Sequence, residues 1–445
     1  MNSNRKEDTM LIYIKNGYVI DPASNHEGYF DILIEKDKIK WVKEHSAAEA
    51  LNDNQKEEVV AAQIIDANGM YVMPGFIDLH VHLREPGFEH KESIRTGALA
   101  AAAGGFTSIC PMPNTKPATD DAEKIELILR KASEEAVVHI LPIGAVTLGQ
   151  SGEQLTDVTG MANAGAVAIS EDGKSVMDTA LYVQGMKLAQ EAGIPVFAHC
   201  EDKSLVGNGV INEGPKAKEL KLPGISNAVE DIITARDILL AKETGVRLHL
   251  CHCSTKDSVK MVALAKQEDL PVTGEVCPHH FILSDEDIPS DDSNYKMNPP
   301  LRSKEDVKAL IEALKNDVID VIATDHAPHS QEEKAKSMTE APFGIVGSET
   351  AFALTMTQLV NTGYLTPKQM VEKLSVNPAK ILGIDKGCIG AGKIADLVIA
   401  DPQAEYVIDK NSFYSKGKNT PFHGKKVVGR IEYTIVAGKI VYHRE

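Results

Sequence analysis

No apolar run in this chain approaches the roughly 18 residues needed to span a bilayer as a helix, and the opening MNSNRKEDTM lacks the apolar centre of a secretory signal. Positive charge is not in excess: 47 Lys and Arg face 64 Asp and Glu, a formal net charge of −17. That balance disfavours nucleic acid and anionic membrane as partners and favours solubility. Cysteine is sparse, with six residues scattered through apolar runs of a 445-residue chain, as free thiols of a reducing compartment would be and a disulfide framework would not. There is no fixed-period repeat and no low-complexity tract. A cytoplasmic enzyme is the expectation.

What the chain does have is six N or O metal donors, each at the end of a different short apolar run or paired on one: His80 and His82 in IDLHVH, Asp172 in AVAISED, His199 in PVFAHCE, His252 in RLHLCHC and Asp325 in DVIATDH. Such runs read as buried strands. In a closed barrel of parallel strands all C-terminal ends open on one face, so these donors would converge there. Four His and two Asp suit Zn²⁺ or a similar divalent ion, and six exceed the needs of one tetrahedral site, which predicts two metals. The i, i+2 spacing of His80 and His82 puts both rings on one strand face, roughly 6.5 Å apart along the backbone. By the same alternation Cys200, Cys251 and Cys253 are expected to point the other way and to pack as small apolar groups.

Around these runs the pattern alternates strand and helix from Pro74 to about Gly383, with eight strands: IDLHVH, TSICPM, VHILPIGAV, AVAIS, PVFAHC, RLHLCHC, PVTGEVC and DVIATD. This is the count of a (β/α)₈ TIM barrel in the α/β class. Short strands with turn signals precede it (MLIYIKNGYVIDP, DILIEKDKIKWV, AQIIDANGMYVM) and follow it (ADLVIADP, EYVIDK, KKVVGRIEYTIVAGKIVYH). The expected domains are a disordered polar leader over 1–9, with Met10 an alternative start; a small β-sandwich domain built from 10–72 plus 385–445; and the barrel over 73–384. The charged segment HSQEEKAKSMTEAP after the last strand reads as a mobile lid.

DLHVHLREPG at 78–87 and TDHAPHSQEEK at 324–334 resemble the two signatures of dihydroorotases in the amidohydrolase superfamily, and PMPNT (111–115), MNPPLR (297–302) and PFG (342–344) fall in the family's order. Bacterial class I dihydroorotases are the nearest resemblance. It implies reversible cyclisation of N-carbamoyl-L-aspartate to L-dihydroorotate plus water in de novo pyrimidine synthesis. It also implies two Zn²⁺ per chain, one held by His80, His82 and Asp325 and the other by His199 and His252. Asp172 is implied as the bridge in place of a carboxylated lysine, Lys174 lying further on in the loop. A homodimer and association with an aspartate transcarbamoylase are the expected partnerships.

Opening a cyclic imide needs a nucleophile at neutral pH and a polarised carbonyl, and two ions roughly 3.5–4 Å apart supply both by acidifying the water between them. A carboxylate must then carry the proton to the departing nitrogen, and Asp325 fits as general acid/base. The open substrate is a small dianion, so a cation beside the metals is expected. Arg84 can grip a carboxylate through two parallel hydrogen bonds. His82, Asn114, Asn298 and His329 complete the expected substrate contacts, with Phe343 and Gly344 implied by the resemblance to offer backbone groups to the ring. His279 and His280 are read as structural. Two other readings stand beside this one: a hydantoinase, dihydropyrimidinase or allantoinase relative, for whose neutral rings Arg84 would have no purpose, and an inactive barrel serving as a scaffold for a transcarbamoylase.

Overall fold

The structure, a computed structural model, describes residues 11–444; the leader expected over 1–9 lies outside them. Strands β1 (Leu11–Asp21), β2 (His26–Glu35), β3 (Lys38–Glu44), β4 (Gln63–Asp66) and β5 (Tyr71–Pro74) come first. The barrel strands follow: β6 (Phe76–Val81), β7 (Phe106–Pro111), β8 (His139–Ile140), β9 (Ile143–Ala145), β10 (Ala168–Ser170) and β11 (Val196–Ala198). A small pair, β12 (Ile211–Asn212) and β13 (Gly224–Ile225), interrupts before β14 (Leu248–Leu250), β15 (Val272–Val276) and β16 (Val321–Ile322). The chain ends in β17 (Leu397–Val407), β18 (Lys426–Val436) and β19 (Lys439–His443).

The barrel is parallel throughout. β6 pairs β7 and β7 pairs β8, while β9, β10, β11, β14, β15 and β16 form one consecutive ladder. β8 and β9 are the two halves of the third strand, divided at Leu141-Pro142 because proline has no N–H to donate to a ladder. The ring closes between first and last strands, where Val81 bridges His326 and the His82 N–H donates to the His326 carbonyl at 2.8 Å. The buried Asp78 carboxylate reinforces this seam by accepting from the Thr324 N–H at 3.1 Å and its hydroxyl at 2.6 Å. The first outer helix, Ile94–Ala103, is capped by Ser93 and Thr96 and buries Ile94, Ala98, Ala101 and Ala102 on one stripe. That spacing is the amphipathic period that seats a helix on a barrel wall.

The two ends of the chain share one sheet, in the order β19-β18-β17-β5-β1-β2-β3. β1 pairs β4 through Ile12–Lys15 and then, past a bulge, β5 at Tyr18 and Val19. Changing partner at a bulge is how a strand passes between the layers of a sandwich. Ile12, Ile14, Ile32, Val72, Leu397 and Ile399 pack as its core. No helix among the described residues is long and apolar enough to cross a membrane.

Candidate metal centre and substrate cleft

The strand ladders are shorter than the apolar runs, so of the six donors only His80 lies within a strand; His82, Asp172, His199, His252 and Asp325 stand in the first residues beyond strand ends. There the backbone is free to turn, and it does: Arg84, His252 and Asp325 have φ of 62°, 34° and 47°. The turn at His252 overrides strand alternation. Cys251 consequently packs with Ile77, Phe197 and Val321 on the inner side, close to His80 and Glu275, against the expectation for it. Cys200 and Cys253 pack with the outer cluster as expected.

All six donors meet around Asp172. Its Oδ1 stands 3.3 Å from His80 Nε2, 3.6 Å from His199 Nδ1 and 3.8 Å from His252 Nε2, and its Oδ2 stands 3.6 Å from His82 Nε2. Asp325 Oδ1 approaches His82 Nε2 at 3.0 Å and His80 Nε2 at 3.5 Å. Lys174 turns away, its ammonium donating to the Gln150 carbonyl at 2.8 Å. Every donor is at least nine-tenths buried.

The far ring nitrogens show which atoms are offered. His80 Nδ1 meets Glu275 Oε1 at 2.8 Å, His82 Nδ1 meets Asn114 Oδ1 at 2.9 Å, and His199 Nε2 meets Glu201 Oε2 at 2.9 Å. Each back partner accepts a ring proton and leaves the opposite nitrogen as a lone pair aimed at the centre. His80 Nε2 is buried with no hydrogen-bond partner, and His199 Nδ1 lies 2.9 Å from His252 Nε2. Converging lone pairs and an unpartnered buried nitrogen are costly unless a cation lies among them. The donor set therefore fits divalent metal.

The electrostatics agree. Burial alone would raise Asp172, but the surrounding histidines hold it well below the usual carboxylate range, and Asp325 is lowered in the same way, chiefly by His82. Burial pulls His80 down, yet Asp172, Cys251 and Glu275 outweigh it and raise it. Glu275, fully buried behind His80 and His249, is brought down to about 2 by those two rings against its burial. Glu275 and Glu201 were missed in the sequence, although each left a signal: Glu275 is a lone acid inside the apolar PVTGEVC, and Glu201 follows His199 at i+2.

Beside the donors lies a cluster of cations. The half-buried Arg84 guanidinium meets the Pro328 carbonyl at 3.2 Å and His329 Nε2 at 3.2 Å, and burial pushes it down to about 10. It forms no ion pair among the described residues. His329 Nε2 lies 2.8 Å from the Phe343 carbonyl, and its Nδ1 faces the Lys91 ammonium at 3.5 Å. Burial and the nearby Arg84, Lys91 and Lys334 keep that imidazole neutral. Gly344 has φ of 122°, and a Cβ there would stand 2.6 Å from the Ala327 Cβ. Its N–H donates to the Lys296 carbonyl, and its carbonyl accepts from Asn419 and Lys334. Asn114 bridges His82 and Asp172, donating to the latter at 3.1 Å, and the Asn298 amide donates to Glu201. In this structure Asn114 thus braces two donor residues, and Asn298 braces Glu201 behind His199.

The segment read as a mobile lid is tied down. Met338 is fully buried, Lys334 donates to the carbonyls of Pro342 and Gly344 at 3.1 and 3.0 Å, and Lys296 donates to the Ala341 carbonyl at 2.6 Å. Polarity suggested a solvated loop, but two of its features, a buried methionine and the Lys334 ammonium spent on carbonyls, make it a packed strap.

Residues 69–258 match the family described as Dihydro-orotase-like, and residues 258–442 match the Amidohydrolase family. The chain is 48% identical to a dihydroorotase of Caldanaerobacter subterraneus subsp. tengcongensis, over 98% of each chain. It is also 48% identical to a dihydroorotase of Ligilactobacillus salivarius, over 98% of this chain and 100% of that one. The chain belongs to the dihydroorotase family. Members of this family are cyclic amide hydrolases of the amidohydrolase superfamily, and this chain is such an enzyme with a small-molecule substrate and a metal dependence. Among solved structures, the L-hydantoinase of Arthrobacter aurescens superposes with a TM-score of 0.85 at 26% identity, covering 97% of this chain and 96% of that one. The D-hydantoinase of a Thermus species superposes with a TM-score of 0.80 at 28% identity, covering 97% and 96%. The family's barrel architecture is thus this chain's own, with the β-domain built from both ends.

Proposed function

We propose that the enzyme interconverts N-carbamoyl-L-aspartate and L-dihydroorotate plus water. The observation that carries this reading is Arg84, a half-buried guanidinium with no ion pair among the described residues, standing beside six metal donors. A neutral ring would leave that cation uncompensated, whereas the substrate carboxylate would accept two charge-assisted hydrogen bonds from it. His329, held neutral, and the backbone at Phe343 and Gly344 line the same side.

His80, His82 and Asp325 would hold one divalent ion of the zinc class, His199 and His252 a second, and Asp172, central to all four rings, would bridge them. When bound, such a pair supplies an acidified water and a polarised carbonyl. Asp325 makes its contacts with His82 and His80 through Oδ1, which leaves Oδ2 to take a proton from the attacking water and return it to the leaving nitrogen. Glu275, Asn114 and Glu201 hold the rings in the tautomer this requires. Residues 10–72 with 385–445 would form the β-domain and 73–384 the catalytic barrel. The buried free cysteines support a cytoplasmic setting, and the exposed Ile232, Leu239 and Leu264 on outer helices support a homodimer. Sedimentation alone and with an aspartate transcarbamoylase tests both partnerships.

The deciding experiment compares hydrolysis of dihydroorotate, dihydrouracil and hydantoin. Dihydrouracil, which is dihydroorotate without its carboxylate, should be poorer by on the order of 10⁴. Equal kcat/KM for the two pyrimidine rings would move the assignment to the hydantoinase side, toward which the structural likeness also points.

A further inference from the structure

We infer that Cys277, His279 and His280 form a separate position for one metal ion of the zinc class, outside the six-donor centre. The three residues sit where β15 turns into the helix Pro278–Ile282. They are 0, 2 and 2% exposed, and one donor atom from each lies within 4.8 Å of the others. The proposed catalytic centre uses none of them.

The decisive observation is the state of the two rings. His280 Nε2 donates to the Pro299 carbonyl at 2.9 Å, which fixes the tautomer and leaves the lone pair on Nδ1, and that Nδ1 is buried with no partner. His279 Nε2 is likewise buried and unpartnered. Two orphaned nitrogens on adjacent residues call for an explanation. A ring oriented by a carbonyl on its far nitrogen is how metal-ligating histidines are held. Burial, with neighbouring histidines adding to it, keeps both rings neutral, His280 down to about 3, so neither would have to shed a proton to ligate. The set N, N, S is that of a borderline-to-soft ion. Tetrahedral ligands at Zn–S and Zn–N distances stand roughly 3.3–3.6 Å apart, within reach of modest side-chain rotation here. Binding exchanges the Cys277 thiol proton for the metal–sulfur bond, releasing one proton to solvent per ion bound. Three protein donors leave a fourth position for water. The second thiol near the centre, Cys251, belongs to a different group with His80 and Glu275, so the two can be told apart.

The test uses the full-length enzyme stripped of metal and reconstituted with Co²⁺, read by ion count and by the thiolate-to-cobalt charge-transfer absorption. Wild type should take up three ions per chain and show the band. Cys277→Ser should lose the band and one ion while keeping two, and Cys251→Ser should keep the band. If Cys277→Ser fails to fold, His280→Gln, which retains the thiol, should release one ion at least tenfold more readily to a chelator. No thiolate band in wild type, a band that survives Cys277→Ser, or unchanged ion release from His280→Gln would each overturn the inference. The binuclear reading is judged separately, because it falls only if the Cys277→Ser enzyme, or the wild type, holds fewer than two ions.

Discussion

The candidate site has two unlike halves. On one side the other five N and O donors crowd around Asp172, three of the rings braced from behind, with ring nitrogens left pointing at one another. On the other side cations gather around neutral His329: Arg84, Lys91 and Lys334, with Glu333 pairing Lys91 at 2.7 Å. Burial pushes Arg84 down to about 10 and Lys334 down to about 7, the mark of positive charge kept out of water. The first half is unfinished without cations and the second without an anion. A small molecule carrying a carboxylate at one end and a reacting carbonyl at the other completes both.

The largest effect is expected where the donor half has its single centre. Asp172→Ala should cost both metals and all measurable turnover, read by elemental analysis beside the assay. Next comes Asp325→Asn, which keeps an oxygen for ligation but cannot accept a proton. Turnover should fall on the order of 10²–10⁴-fold in both directions with at least one metal retained, and wild-type rates would remove its proton-transfer role. In the cation half the expected damage is of another kind. Arg84→Gln should leave the metal content unchanged and raise KM for dihydroorotate on the order of 10²-fold, through the loss of charge-assisted hydrogen bonds. Metal loss in that variant would mean that the halves are not separable.

Two smaller effects set the baseline. Lys174→Ala should change metal content and kcat by less than about twofold, since among the described residues its ammonium serves only the Gln150 carbonyl. Glu349, at the seam between barrel and β-domain, accepts from the backbone of Tyr414 and Ser415, and burial raises it to about 7. Between an unfolded value of about 4.3 and that folded value, the native chain keeps a proton that the unfolded chain has released. Its contribution is therefore full below pH ~4.3 and lost as pH rises through 7. Glu349→Gln should flatten that decline in urea unfolding while sparing KM.

The donor half was readable in the sequence because each donor sits on a periodic apolar run, and a barrel brings strand ends together. The alternation of strands and helices and the β-strands at both chain ends were readable for the same reason. Strand lengths were not: apolar residues continue past the last ladder hydrogen bond, so DVIATD yields only Val321–Ile322 as strand. Cys251 escaped because a single left-handed residue, His252, reverses the facing rule. The braces at Glu275 and Asn114 answer to neighbours far away in the chain, which no local pattern records, whereas Glu201 stands only two residues from the ring it holds. The strap over 329–342 misled for the opposite reason, its Lys334 being spent on carbonyls instead of solvent.

One feature of the architecture bears on how the chain reaches this state. β5, at Tyr71–Pro74, has β1 on one side and β17, at Leu397–Val407, on the other, and β17 in turn needs β18. During synthesis the early strands β1–β5 therefore carry an open edge until the whole barrel has emerged. Pairings of such long sequence separation form late and slowly, and an uncovered strand edge meanwhile recruits other chains. Yield from an expression host should accordingly depend on how quickly the last strands arrive, and truncations that remove β18 should aggregate even though every metal donor is still present.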